Sequence, residues 1–517
     1  MKTVILSIMA ALIAMIIQPA YSQTQPTIAA PPANAANETT GEIQSLQSEN
    51  TKFPAPVPEE QGVPSPPLIA PLTTIVDDEG QISDFDTAGQ VSAPSQTFFR
   101  SVGTNGRTCF TCHQLADGMG LGQEGATNRF NADPNDPLFR PIDGATCPDD
   151  DVSTPAAQAA AYNLLTTSGL IRISLPLQTS FQFEIVNVQD TNGSDCNTNP
   201  AFGITGPQSG NASFYRRPIP TTNLGFDENI MWDAREPSLQ HQAMDAELTH
   251  AQATQSPTAP LLQQIVNFET GFFTAQSDDT GLAGISVGAG GDLTGADGSG
   301  ATGGPQPLVQ QLAAFTTGTN NPFGGSFNPA VFNMYNAFGN LTGTDTQTLE
   351  RQMIFAGQQV FNTVQFQITG VNGLNDVQGQ PSITGTCGTC HNSPNIGNFT
   401  SNQMMDTGVT DVNAPNGASS NLDEQGLPIF TVQCIAGPDA GQTFTVTDIG
   451  FGMTTGQCAD IGKTKVPVIR GIASRSPYFH NGSAQQITNL VQFYNARFNI
   501  GLTAQQQADL EVFLEAQ

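Results

Sequence analysis

At 517 residues the chain exceeds what one hydrophobic core usually supports, so two domains with additional segments are expected. Forty-five acidic against sixteen basic side chains give a net charge of −29 with no basic run, which excludes nucleic acid as a partner. Fifty-two Gly, 36 Pro and only 12% charged residues point to short helices joined by long loops.

Residues 1–22 carry one Lys, an apolar run from Val4 to Ile17, and small residues Ala20 and Ser22, which predicts a secretory signal peptide cleaved near Ser22/Gln23. A periplasmic or secreted protein is expected. No later stretch reaches the roughly 20 apolar residues of a membrane helix, so no membrane span is expected. Residues 23–74, rich in Pro and Ala, read as a disordered tether.

A first ordered domain is expected over 75–276, closing on "PLLQQIVNFETGFFTAQ", where Leu262, Ile265, Val266, Phe268 and Phe272 suit an amphipathic helix. Residues 277–345, with the Gly-rich run Ser286 to Pro307, read as an insertion or linker. A second domain over 346–517 opens on a helix placing Leu349, Met353, Ile354, Val360 and Phe361 on one side. It closes on a helical pair in which Thr503 is an N-cap. The expected fold is mainly α: two domains with long loops.

Two of the chain's five histidines directly follow cysteine pairs, in "RTCFTCH" (107–113) and "TCGTCH" (386–391). C-x-x-C-H is the attachment signature of c-type haem: two thiols join the porphyrin vinyl groups, and the adjacent imidazole is held beneath the iron. Cys109, Cys112 and His113 meet this demand, and so do Cys387, Cys390 and His391. A closed zinc site would need two further ligands close by, and the sequence holds none between Cys112 and Cys147 other than His113 and carboxylates. A thioredoxin-like dithiol would not need histidine twice. Two covalently bound c-type haems are therefore expected. The remaining cysteines pair most simply as Cys147–Cys196 and Cys434–Cys458. Only His241, His250 and His480 remain for other imidazole roles.

The stretch "KVPVIRGIASRSPYFHNGSAQQITNLVQFYNARF", with both motifs and "MWDAREPSLQHQA", resembles the bacterial di-haem cytochrome c peroxidase/MauG superfamily over about residues 95–276 and 346–515. The resemblance implies two cytochrome c-type domains, with peroxide chemistry at the His113 haem and electron relay at the His391 haem. Tyr494, fourteen residues past His480, stands where MauG-type members carry a tyrosine ligand to the relay iron and peroxidases a methionine. Met453, Met404 or Met405 is the alternative ligand. The only tryptophan, Trp232, matches an indole lying between the haems, and Gln242 a glutamine near the reactive one. His480 is implied to support the relay haem by hydrogen bonding.

The chain also departs from that pattern. Ala246 and Gln252 fall where family peroxidases carry a proline and a catalytic glutamate, which leaves Glu247 or His250 to move protons. His250 could equally close the site as a sixth ligand. Arg217 falls where a calcium-binding asparagine is expected, with the carbonyls of Arg475 and Pro477 as the other ligands, so calcium is in doubt and Arg217 is a candidate partner for a haem propionate. The implied activity is oxidation by hydrogen peroxide of a small redox protein, a cationic cytochrome or copper protein, or of a partner protein's side chain. The alternative is a non-catalytic di-haem electron-transfer cytochrome.

Overall fold

Among the described residues four small antiparallel sheets stand beside the helices, so the fold is mixed rather than mainly α. The computed structural model describes residues 69, 72–77, 80–191, 195–279, 291–293, 320–322, 326–424 and 426–517. The signal peptide over 1–22, nearly all of the tether and most of the Gly-rich run lie outside the described residues. No described helix is long and apolar enough to cross a membrane.

Strands β1 (Leu72–Asp77), β2 (Gly80–Asp86), β7 (Phe272–Asp279) and β8 (Gly291–Asp292) form one sheet in that order. Strand β6 (Ser209–Arg216) lies between β3 (Ile171–Pro176) and β5 (Ile204–Gly206). Strand β11 (Ile429–Cys434) lies between β4 (Phe183–Gln189) and β12 (Thr443–Val446), and β9 (Phe366–Thr369) pairs with β10 (Ser382–Gly385). The β4–β11 ladder joins distant parts of the sequence, with Phe183 opposite Cys434 and Val188 opposite Phe430.

The expected helix over "PLLQQIVNFETGFFTAQ" stops at Gly271, and Phe272 begins β7. Helix propensity fails at Gly271, while the aromatic and β-branched residues beyond it suit a strand. The first six residues of β7 are all buried, so no period-two alternation betrays the strand in sequence. Its inner pairs Phe85–Phe273 and Ser83–Ala275 lie against β2.

The helix Thr346–Thr363 forms where expected, with Asp345 capping it through the Thr348 amide. Ile354, Val360 and Phe361 are buried, but Leu349 is 46% exposed because the first turn projects beyond the packing face. The helix lies along Ala504–Glu515 so closely that a Cβ at Gly357 would fall 1.9 Å from the Asp509 carbonyl oxygen. Thr503 caps the second helix through the Gln506 amide, as expected. Between the two helices runs an extended stretch containing the buried Val331, Phe332, Met334 and Tyr335, within the span read as linker. Its backbone is satisfied from the helix: the Asn362 side chain bonds both N and O of Phe332, and Gln358 Oε1 accepts from the Tyr335 amide. Cys147–Cys196 and Cys434–Cys458 are both bonded, and Cys109, Cys112, Cys387 and Cys390 stand outside these disulfides.

Candidate functional site

Both histidine motifs fold into the same local device. In "TCFTCH" and "TCGTCH" a threonine stands before the first cysteine and another three residues on. In each pair the second threonine's Oγ1 accepts from the first threonine's amide, at 2.9 Å and 3.0 Å, across a single helical turn, Cys109–Thr111 and Cys387–Cys390. The turn brings the histidine amide onto the first cysteine's carbonyl, at 3.1 Å in both copies. Each imidazole is then fixed by a backbone carbonyl six residues ahead: His113 Nδ1 lies 3.0 Å from Met119 O and His391 Nδ1 lies 2.6 Å from Gly397 O. A carbonyl only accepts, so Nδ1 carries the hydrogen and Nε2 keeps its lone pair for a metal. Phe98 and Phe361 pack on the two imidazoles, each 6.2 Å between ring centres. Burial pulls both imidazoles down to about 4, against the raising effect of those carbonyls, which keeps them neutral as ligands must be.

Each motif opens onto its own cavity, of about 220 Å³ beside Cys109, Cys112 and His113 and about 210 Å³ beside Cys387, Cys390 and His391. Trp232, Arg217, Asp227, Lys465 and the segment Pro218–Pro220 line both cavities and form the wall between them.

That wall is built from β6. The strand ends at Arg216, whose fully buried guanidinium bonds Asp448 through Nε (2.6 Å) and Nη2 (2.8 Å) and Asp233 through Nη1 (2.5 Å). Burial alone would raise the Asp233 carboxyl, but Arg216 and Arg235 outweigh it and hold it below its ordinary value. Trp232, beside Asp233, sits in a turn with Met231 at φ 69° and Ala234 at φ 51°, left-handed conformations that non-glycine residues hold only under tertiary constraint. Its indole donates to Arg217 O at 2.9 Å, and its own carbonyl accepts from the Lys465 amide at 3.0 Å.

Arg217 donates to the carbonyls of Arg475 (2.6 Å) and Leu121 (2.8 Å), while the Nε–H groups of both Arg217 and Arg475 find no partner. Burial lowers both guanidiniums to about 10, still cationic at neutral pH. The carbonyl of Arg475, expected to face calcium, thus already meets a tethered cation. This donor set does not fit a calcium ion.

The first cavity is lined by Gln242, Glu247 and His250 from the helix Leu239–Thr249 and its C-terminal cap. Glu247 is 3% exposed, neither of its carboxylate oxygens has a partner, and burial pushes it up to about 7. His250 Nδ1 lies 2.5 Å from Asp143 Oδ2, and Asp143 Oδ1 lies 2.5 Å from Arg107 Nη1. Burial would raise Asp143, but Arg107 and then His250 outweigh it and hold it at about 2. Gln252 does not line the cavity, and its Oε1 accepts from Asn105 at 3.2 Å. Glu269 does, with Oε2 unpartnered and its pKa pushed up to about 8 by burial.

The second cavity brings Tyr494 from the helix Ile487–Arg497 to the same space as His391. Burial raises the phenol, Cys390 adds to this, and a hydrogen bond with Thr407 opposes it. Of the alternative methionines, Met405 lines this cavity, whereas Met404 and Met453 do not. His480 lines it too, its ring 6.2 Å from the Trp232 ring and its Nε2 3.6 Å from Asp448 Oδ2. His241 stands apart, exposed and 2.6 Å from Glu236 Oε2.

Sequence reasoning missed Asp143, Arg107, Arg216 and Glu269. Glu269 had a signal: it continues the stripe Leu262, Ile265, Val266, and a carboxylate on a buried stripe demands a reason. Asp143 and Arg216 had none, because their partners are distant in sequence.

No protein-family model matches the chain. Over 80 residues it is 35% identical to the cytochrome-c peroxidase IdrP1 of Denitromonas iodatirespirans, covering 13% of this chain and 21% of that protein. A crystal structure of a MauG-like protein associated with microbial copper homeostasis aligns with 63% of this chain and 83% of its own, at 15% identity and a TM-score of 0.31. Over those 80 residues the chain is similar in sequence to a cytochrome-c peroxidase, in agreement with the resemblance read from its motifs. The matched stretch is about a fifth of the curated relative's length.

Proposed function

We propose that the protein is an exported di-haem c-type oxidoreductase that uses hydrogen peroxide to oxidise a small redox protein or a side chain of a partner protein. The observation that carries this reading is the pair of cavities, each walled by its own C-x-x-C-H turn, which share the face holding Trp232. The residues fit covalent haem. Each cavity offers two thiols outside any disulfide, an imidazole with Nε2 available and a mostly apolar lining, and the unpartnered Nε–H groups of Arg217 and Arg475 suit the haem carboxylates.

When bound, the two haems supply redox-active iron, at one centre toward peroxide and at the other toward the electron donor. His113 and His391 would hold the irons through Nε2, and Tyr494 would be a further ligand at the second centre. Around the first cavity, Gln242 binds and orients peroxide, and His250 Nε2 accepts and returns its proton. Glu247, neutral at mildly acidic pH, is a second proton-holding group on that wall. Trp232 stands between the centres as the aromatic route for electrons. The acidic chain favours a cationic donor.

Mass spectrometry of the mature protein should find two haem additions, one on the Cys109/Cys112 peptide and one on the Cys387/Cys390 peptide. The oxidised protein should show a high-spin component that changes on adding peroxide. Two low-spin haems inert to peroxide would instead establish an electron-transfer cytochrome.

A further inference from the structure

We infer that Asp143 is the positioning residue for His250, fixing the imidazole with its hydrogen on Nδ1 so that Nε2 offers a lone pair to the first cavity. The inference rests on the reading of that cavity as the peroxide site and goes beyond it, since nothing in the motifs or the resemblance points to Asp143. The dyad is short and sheltered: His250 Nδ1 and Asp143 Oδ2 are 2.5 Å apart, with the Asp143 side chain 6% exposed and that of His250 33%. Both residues line the cavity.

The carboxylate is itself held from elsewhere. Its other oxygen, Oδ1, takes Arg107 Nη1, and Arg107 is anchored by Nε on Pro137 O (2.8 Å) and Nη2 on Leu138 O (2.7 Å). Asp143 therefore cannot swing away from His250 without releasing a buried arginine. The imidazole's backbone is gripped by the same segment: Asn105 Nδ2 donates to His250 O at 2.8 Å and Arg107 Nη1 to the same oxygen at 3.3 Å. Close approach of the two segments is enforced at Gly103, where a Cβ would lie 1.8 Å from Ala251 O. Arg107 stands two residues before Cys109, so the arm that carries the thiols also sets the orientation of His250. The other charged or titratable groups acting on Asp143 are Arg172 and Tyr162.

A carboxylate that accepts Nδ1–H selects one imidazole tautomer. The remaining nitrogen, Nε2, can then take a proton from a neutral ligand entering the cavity and give it back. Without Asp143 the ring would rotate and sample both tautomers, and only a fraction would present an acceptor.

Hydrogen cyanide is the probe, because it gives up a proton on binding as cyanide and its uptake is read from the haem spectrum without turnover. In the haem-loaded protein, Asp143→Asn should slow cyanide association by about 10–100-fold, as loss of an orienting partner does elsewhere. Asp143→Glu, which keeps a charge beside Arg107, should give an intermediate rate. Peroxide-dependent kcat should fall in parallel while KM for the electron donor holds. Because the two residues act as one unit, Asp143→Asn combined with His250→Ala should be no slower than His250→Ala alone. Rates of Asp143→Asn within twofold of the parent, or full multiplicative effects in the double variant, overturn the inference. If Asp143→Asn does not accumulate, an unchanged rate in Asp143→Glu overturns it equally. A parent protein that takes up neither cyanide nor peroxide removes the peroxide-site reading and this inference with it, whereas a parent that takes up both while the variants match it removes this inference alone.

Discussion

Replacing Arg216 by methionine removes the cation that joins Asp233 and Asp448 beneath the wall between the cavities. The three side chains are 2%, 0% and 3% exposed, so water cannot substitute for the guanidinium. Asp233 would retain Arg235 at 2.8 Å, but Asp448 would keep only the Gly450 amide at 2.7 Å and His480 at 3.6 Å. Breaking a buried pair from one side costs about 3–5 kcal/mol, and the loss here should fall in that range because Asp448 is left without its cation while Asp233 loses one of two. Guanidinium denaturation followed by far-ultraviolet circular dichroism measures it as a lower midpoint at unchanged slope. The sign of the pH dependence is fixed: Asp233 is held below its ordinary value, so its contribution is present above the unfolded carboxylate pKa and lost as pH falls through the folded one. The gap between parent and variant should therefore narrow as pH falls below about 4. Arg216→Met with Asp448→Leu should recover part of the loss, because one stranded charge is gone. A loss below about 1 kcal/mol, or a gap that holds constant into acid, would refute the reasoning.

Glu247 and Glu269, raised from 4.5 to about 7 and about 8 by burial, act with the opposite sign. The folded state keeps protons that the unfolded state has lost, so both contribute a fall in stability as pH rises from about 4.5 to 8; Glu247→Gln should flatten the lower part of that slope, and an unchanged pH profile of the denaturation midpoint would count against the burial argument. Calcium chelation should leave melting temperature and spectrum unchanged, because Arg217 takes the Arg475 carbonyl; a fall in melting temperature reversed by calcium would contradict this. Tyr494→Phe should change the spectrum of the second haem alone and leave the first cavity's cyanide uptake intact, and an unaltered spectrum would return Tyr494 to simple packing beside Phe498.

The second half was easier to read than the first. Its long helix and closing pair carry helical period and caps within a few neighbouring residues, and Asp345 and Thr503 cap where short-range chemistry places them. Strand β4 was invisible because its partner β11 lies far along the chain, and β7 because burial on both faces erases alternation. The same contrast governs the site. Cys109, Cys112, His113 and their second set are neighbours in sequence and form by local turns, whereas His250 gains its carboxylate from a residue 107 positions earlier.

What the amino-acid order determined alone is the pair of C-x-x-C-H turns, since each is closed by threonines and carbonyls lying within a few residues. Only the tertiary structure decided what surrounds them: Arg216 joining Asp233 to Asp448, the Arg217 guanidinium on the Arg475 carbonyl, and an arginine-anchored Asp143 behind His250. The physical reason is that burial and charge pairing depend on distance through space. Chain separation conveys that distance only for groups joined by a single turn.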